Sequence, residues 1–324
     1  MEIDLLSEDY LPKELPHREN EIRDIHSKIQ KFLLYGKFYD LLIYGPPGIG
    51  KTAAIKIALS NISAKSIYIN CWKYNDTFSI LQKVLEEFKQ IIPKKGISKE
   101  EVIERFLEIC KKVEKFIIVL DEVDKVKDLN ELLYLILREA KNVLLILISN
   151  SKDFILSLEE RVLSSLNLET IEFKKYSFEQ LKDIAKYRLN LLNLEYESAV
   201  IVLLANESYK RNSDVRVILK LAKLAIEKMI EENSKILQVK HLKEVLNKIE
   251  ESEKFEDERL NRIMQIVREK EKVTTSEVFE IIEKEFNISR RTFNNLVKEL
   301  IKLGKVKLIR AKGVKGSKFY IKKL

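Results

Sequence analysis

Through the first half of the chain, short apolar runs alternate with longer stretches whose apolar positions recur every three or four residues. The runs at 41–44, 66–70, 116–120, 143–148 and 170–173 predict strands buried inside a parallel sheet. The stretches between them, including 77–91, 99–113 and 129–140, carry helical periodicity. Strand and helix in turn predict a doubly wound α/β domain. After Tyr176 the strands stop, and 178–192, 197–208, 214–232 and 239–249 predict a domain of four helices. The charged stretch "ESEKFEDER" (251–259) has few large aliphatic residues and reads as a linker over 251–258. Two helices, a third from Ser289 and an alternating end around Gly313 and Gly316 form a last unit that closes in a hairpin. The expected domains are 1–176, 177–250 and 259–324.

Composition sharpens this picture in three ways. A chain of 324 residues with 45% apolar content suits two or three domains with filled cores. The net charge of +8 is uneven: residues 289–324 hold 12 Lys plus Arg against one acid, a local +11 that leaves −3 for the rest. A basic end on a near-neutral body points to nucleic acid or an anionic surface, although a solvated lysine-rich end gives the same count. Residues 1–9 are acidic with no continuous apolar stretch, so no signal peptide is expected. The longest apolar runs fall short of a bilayer span. Cys71 and Cys110 lack metal or redox spacing, which fits buried thiols in a reducing cytoplasm. The chain is expected there, on the nucleoid and away from membranes.

The sharpest chemical signal is "YGPPGIGKTA" (44–53). Gly45, Pro46, Pro47, Gly48, Ile49, Gly50, Lys51 and Thr52 match G-x-x-x-x-G-K-[ST], placed after the strand at 41–44 and opening a helix at 52–59, with Ala53 in its first turn. Glycines there let backbone N–H groups converge on a phosphate at a helix N-terminus. Lys51 would add charge on the β- and γ-phosphates, and Thr52 a hydroxyl for Mg²⁺. "FIIVLDEVD" (116–124) supplies the complement at the end of another strand. Asp121 is placed to hold Mg²⁺ and Glu122 to polarise the attacking water. Asn150 ends a third strand, where it could position the same water or simply turn the chain.

In this order, these pieces resemble the AAA+ ATPases, and in detail the archaeal origin-recognition initiators related to the eukaryotic replication-licensing ATPase. The residues carrying the resemblance are "YLPKELPHRENEI" (10–22), "LIYGPPGIGKTA" (42–53), "YINCW" (68–72), "IVLDEVDKV" (118–126), "ISNSKDF" (148–154), "LEERVLSSL" (158–166), "IEFKKYSFEQLKDIAKYR" (171–188) and "NSDVRVILKLAKLA" (212–225). The resemblance implies an AAA+ domain with a helical lid and a C-terminal winged helix, holding ATP or ADP with Mg²⁺. It also implies origin-type duplex DNA and a replicative helicase as partners, with self-association on DNA. His17 and Arg18 then flank the adenine, Tyr176 and Arg188 touch nucleotide at the lid, Arg216 reaches the γ-phosphate, and Arg161 is the finger offered to a neighbouring subunit. Three departures stand out: Ile49 in the cradle, "NSDVR" without the family's glycine before Asp214, and lysine-rich "KGVKGSK" (312–318) in the wing.

In the last unit, Thr274 to Glu277 spell a capping box and Ser289 caps the next helix. There Phe293, Leu296, Val297 and Leu300 form an apolar face. Arg290, Arg291, Asn294, Asn295 and Lys298 occupy the other side, as on a recognition helix in the major groove. Lys312, Lys315 and Lys318 suit phosphate or minor-groove contacts. The reading is an ATP-regulated initiator, with two rivals open: a helper ATPase of a mobile element and a scaffold that holds nucleotide without hydrolysing it.

Overall fold

The computed structural model describes residues 3–60, 62–90, 96–252, 257–270, 273–310 and 319–323. Contacts divide the chain into two compact units, Met1–Val245 and Leu246–Leu324.

The first unit opens with α1 (Glu19–Tyr35), β1 (Asp40–Tyr44), α2 (Lys51–Ser60) and β2 (Lys65–Asn70). It continues through α3 (Thr77–Glu87), α4 (Lys99–Lys112), β3 (Phe116–Asp121), α5 (Leu129–Glu139), β4 (Val143–Ser149), α6 (Glu160–Leu163) and β5 (Leu168–Glu172). The strands pair in parallel in the order β2-β3-β4-β1-β5. Every residue of β3 and β4 is buried, because helices cover both faces of a sheet of this kind. One face packs Leu42, Ile118 and Leu145 against Leu81, Phe106 and Leu133 of α3, α4 and α5, each side chain contributing about 1.5–3 kcal/mol by leaving water. Register then fixes the site. Asp121 pairs with Ile148 and Tyr44 with Ser149, so the ends of β1, β3 and β4 meet at one edge, where such sheets bind ligands.

The helical part comprises α7 (Phe178–Asn190), β6 (Glu195–Tyr196), α8 (Ser198–Lys210), α9 (Val215–Glu231), β7 (Ile236–Leu237) and α10 (Val239–Ser252). A capping box between Ser177 and Gln180 starts α7. β6 and β7 form a two-residue parallel pair that is too short to show any periodicity in sequence.

The second unit contains α11 (Glu258–Glu269), β8 (Val273–Thr274), α12 (Thr275–Phe286), α13 (Arg290–Lys302), β9 (Val306–Arg310) and β10 (Phe319–Lys323). Its antiparallel sheet has the order β8-β10-β9, and Ile263, Ile282, Phe293, Leu300 and Ile321 form its core. Three helices with a strand pair make a winged helix. The capping box of Thr274 and Glu277 is present in both directions. The turn around Gly313 and Gly316 lies outside the described residues. Among the described residues no helix is long and apolar enough to cross a membrane.

Candidate functional site

The loop after β1 is shaped by glycines that cannot be replaced. Gly45 has φ 151°, and a Cβ on it would stand 2.2 Å from the Phe173 carbonyl oxygen. Gly48 has φ 72°, and its Cβ would fall 1.8 Å from Oδ1 of Asp214. The loop leads directly into α2, which opens at Lys51, so its backbone amides and the helix N-terminus form one anion cradle.

Lys51 is buried at the start of that helix. Its ammonium donates to the carbonyls of Gly45 and Pro46 at 2.7 Å each and to Asn150 Oδ1 at 3.0 Å. Burial pushes this ammonium down to about 8, against the opposing field of Asp121. A phosphate would restore the charge. Nucleotide affinity is therefore expected to fall as pH rises through about 8, with proton uptake on binding just above it. Calorimetry in two buffers of different ionisation enthalpy checks this: equal heats in both would contradict it.

Opposite the cradle, Asp121 ends β3. Its Oδ2 accepts from Thr52 Oγ1 at 2.6 Å and from the Tyr68 hydroxyl at 2.6 Å. Glu122 follows with φ 58°, and its Oε2 is buried without a hydrogen-bond partner. Burial, reinforced by the charges of Asp121 and Asp124, raises its carboxyl, which suits a proton acceptor working near neutral pH. A glycine cradle, a charged lysine, a hydroxyl–carboxylate pair and an orphaned carboxylate oxygen fit a nucleoside polyphosphate with a divalent cation.

These groups line a cavity of about 270 Å³, together with Ala53, Asn150, Tyr176, Arg188 and Arg216. Tyr176 is buried, and its carbonyl accepts from Ser213 Oγ at 2.8 Å. Ser213 stands where the resemblance leads one to expect glycine. It adopts φ 61°, and this bond offsets the strain of the left-handed conformation. Arg188 reaches the cavity while donating to the Leu5 carbonyl at 3.2 Å.

Some expected residues sit elsewhere. Arg18 stands behind the cradle: it donates to the carbonyls of Ile49 at 3.2 Å and Lys174 at 2.6 Å, and its guanidinium lies 4.0 Å from the Tyr176 ring centroid. Its donors brace the loop and are not offered to a base. His17 pairs with Asp183 at 2.9 Å, and neither His17 nor Arg18 lines the cavity. Instead the segment from Glu8 to Pro16 does, with Tyr10, Leu11 and Leu15 among its members. Pro46 and Ile49 act through their backbone carbonyls, and the Ile49 side chain is fully buried. Arg161 is exposed, pairs with Glu159 at 2.6 Å and lies off the cavity.

A family model described as "AAA domain" matches residues 40–155, the span from β1 to just past β4. The ORC1-type DNA replication protein 1 of Archaeoglobus fulgidus is 30% identical over 93% of this chain and 82% of its own length. The chain belongs to the ORC1-type DNA replication proteins. That of Sulfurisphaera tokodaii is also 30% identical, over 93% of this chain and 84% of its own. Among solved structures, the Aeropyrum pernix ORC1 protein in complex with DNA superposes with a TM-score of 0.71 at 25% identity, covering 99% of this chain and 92% of that one. This ORC1-type chain is thus a nucleotide-binding AAA+ protein of the replication-initiator class.

In the winged-helix unit of this ORC1-type protein, Phe293, Leu296, Val297 and Leu300 are buried and Arg291, Asn294, Asn295 and Lys298 are exposed along α13. Arg290 is exposed as well, but its guanidinium lies 4.5 Å from the Phe279 ring centroid and 5.7 Å from that of Phe293. That packing holds it against the unit's own aromatic rings. Lys312, Lys315 and Lys318 lie outside the described residues.

Proposed function

We propose that this chain is an ATP-regulated replication initiator that recognises origin-type duplex DNA and supports loading of a replicative helicase. ATP binding acts as the switch and slow hydrolysis resets it. One observation carries the reading: a cradle with its acid pair and a basic winged helix share a single chain, which aligns over 99% of its length with an ORC1 protein solved on DNA.

In this reading Lys51 exchanges its carbonyl partners for the β- and γ-phosphates of ATP, and the cradle amides fix the chain of phosphates. Thr52 and Asp121 would hold Mg²⁺, which offsets phosphate charge as the terminal phosphoryl group leaves. Asn150 positions the attacking water and Glu122 accepts its proton. Arg216 reads the terminal phosphate from the lid. α9 is tied to the cradle by the Val215 amide, which donates to the Gly48 carbonyl at 2.9 Å, so phosphate occupancy and lid position are mechanically linked. The exposed polar face of α13 docks on duplex DNA.

Arg161 serves a neighbouring subunit's nucleotide during self-association on DNA. Arg161→Ala should leave ATP binding by the monomer unchanged and remove only the hydrolysis that rises with protein concentration. Equal loss at every concentration, or no loss, would make Arg161 a surface ion-pair residue.

Mapping bound DNA across the genome tests the proposal. Discrete sites beside replication start points are expected. Dispersed binding with recruitment of a transposase would make the chain a mobile-element helper instead.

A further inference from the structure

Arg216 is exposed, yet the cap residue of its own helix holds it, with the same grip that Asp257 has on Arg259 at the start of α11. Arg216 Nε lies 3.0 and 3.1 Å from the two carboxylate oxygens of Asp214, and Nη2 lies 2.6 Å from Oδ2. The carboxylate therefore grips the side of the guanidinium through Nε and Nη2, leaving Nη1 at its far end. Arg216 lines the cavity and Asp214 does not, so the carboxylate stands behind and the guanidinium in front. The arginine is also near the chemistry: its guanidinium is raised chiefly by Asp214, with a smaller push from Glu122, and its charge adds to the burial that lowers the Lys51 ammonium.

Asp214 is itself immobilised. It caps α9 by accepting from the Arg216 amide at 2.9 Å. Its carbonyl accepts from Ser208 Oγ at 2.8 Å. Its carboxylate packs directly on Gly48, in the space that a Cβ there would need. One side chain thus touches the phosphate loop, caps the lid helix and grips the lid arginine.

We infer that Asp214 is a positioning residue that braces Arg216 from behind and aims its outer edge at the terminal phosphate, making triphosphate-over-diphosphate selectivity depend on a carboxylate that never meets the nucleotide. A two-pronged hold fixes the plane of a guanidinium, and prior orientation removes the ordering cost of binding. Gly48 belongs to the same device, since any side chain there would push the brace away. This inference rests on the nucleotide reading of the cavity.

Asp214→Asn tests it, because asparagine keeps the helix cap while losing the two-oxygen anionic grip. Affinities for ATP and ADP are measured by titration in the wild type, Asp214→Asn, Arg216→Ala and the double variant, with thermal melting as a control on folding. The ATP-to-ADP preference should fall by roughly three- to tenfold in Asp214→Asn and by at least as much in Arg216→Ala, to which Asp214→Asn then adds no further fall. Removing a negative charge without a brace would instead favour both nucleotides and raise the preference, because ATP carries more charge. A preference that is unchanged or raised, or a fall that persists in the Arg216→Ala background, overturns the brace while leaving the nucleotide site intact. Wild-type protein that binds neither nucleotide overturns both. If Asp214→Asn melts early, Asp214→Ser, another cap lacking a carboxylate, repeats the test.

Discussion

Lys51→Ala should abolish nucleotide binding, with affinity falling by more than about a hundredfold, because a charge-assisted contact to phosphate in a water-poor cleft has no substitute. The fold should survive. The folded pKa of Lys51, about 8, lies below its ordinary value of 10.5. The unfolded chain therefore binds the extra proton between those values, and the charged lysine costs stability below about 8, a cost that fades as pH climbs towards 10.5. Alanine removes that cost and is the better helix former at the start of α2. What it gives up are the bonds to Gly45, Pro46 and Asn150, a loss that offsets this gain. Melting at neutral pH should therefore change little while titration shows no saturation with ATP. Wild-type affinity in the variant would remove Lys51 from the site.

Glu122→Gln should do the opposite: keep ATP and stop its hydrolysis. The amide has the same shape and the same backbone demand at φ 58°, so binding should stay within a few-fold of wild type. It cannot accept a proton, and loss of a general base costs about 10²–10⁴ in rate. Glu122 fits that role because its carboxyl is raised and its inner oxygen is unpartnered. Single-turnover hydrolysis measures the effect. Wild-type turnover in Glu122→Gln would assign the base elsewhere, and a wild-type protein that binds ATP but never cleaves it would make the chain a nucleotide-locked scaffold.

The sheet was legible in sequence because β1, β3 and β4 are buried on both faces and so read as unbroken apolar runs. Helix ends were less sharp. Apolar spacing continues past Glu87, yet α3 stops there with Phe88 as its cap and as an edge-on partner of the Phe116 ring. Phosphate chemistry was legible for a different reason: Gly45 to Thr52 are contiguous, and strand register carries Asp121 and Asn150 to them.

Residues whose roles depend on distant partners were not legible. Tyr68 lies mid-strand like any aromatic, and only the pairing of β2 with β3 brings its hydroxyl to Asp121. Asp214 reads as a plain helix cap until the packing of α9 against the cradle sets its carboxylate on Gly48. Arg18 has the charge for a nucleotide contact, but carbonyls from two other segments take its donors first. Arg290 matches a base-reading pattern by spacing, and only the packing of two helices shows the Phe279 ring beside its guanidinium.

The proposed function requires one coupling, between nucleotide state and grip on DNA. Its most direct test is the binding of the whole chain to duplex DNA over a series of salt concentrations, once with a non-hydrolysable ATP analogue and once with ADP. Log affinity should fall linearly with log salt, by about 0.9 per phosphate neutralised, and the two nucleotide states should give clearly different affinities at every salt concentration. Binding indifferent to salt, or curves that coincide for the two nucleotides, would contradict it.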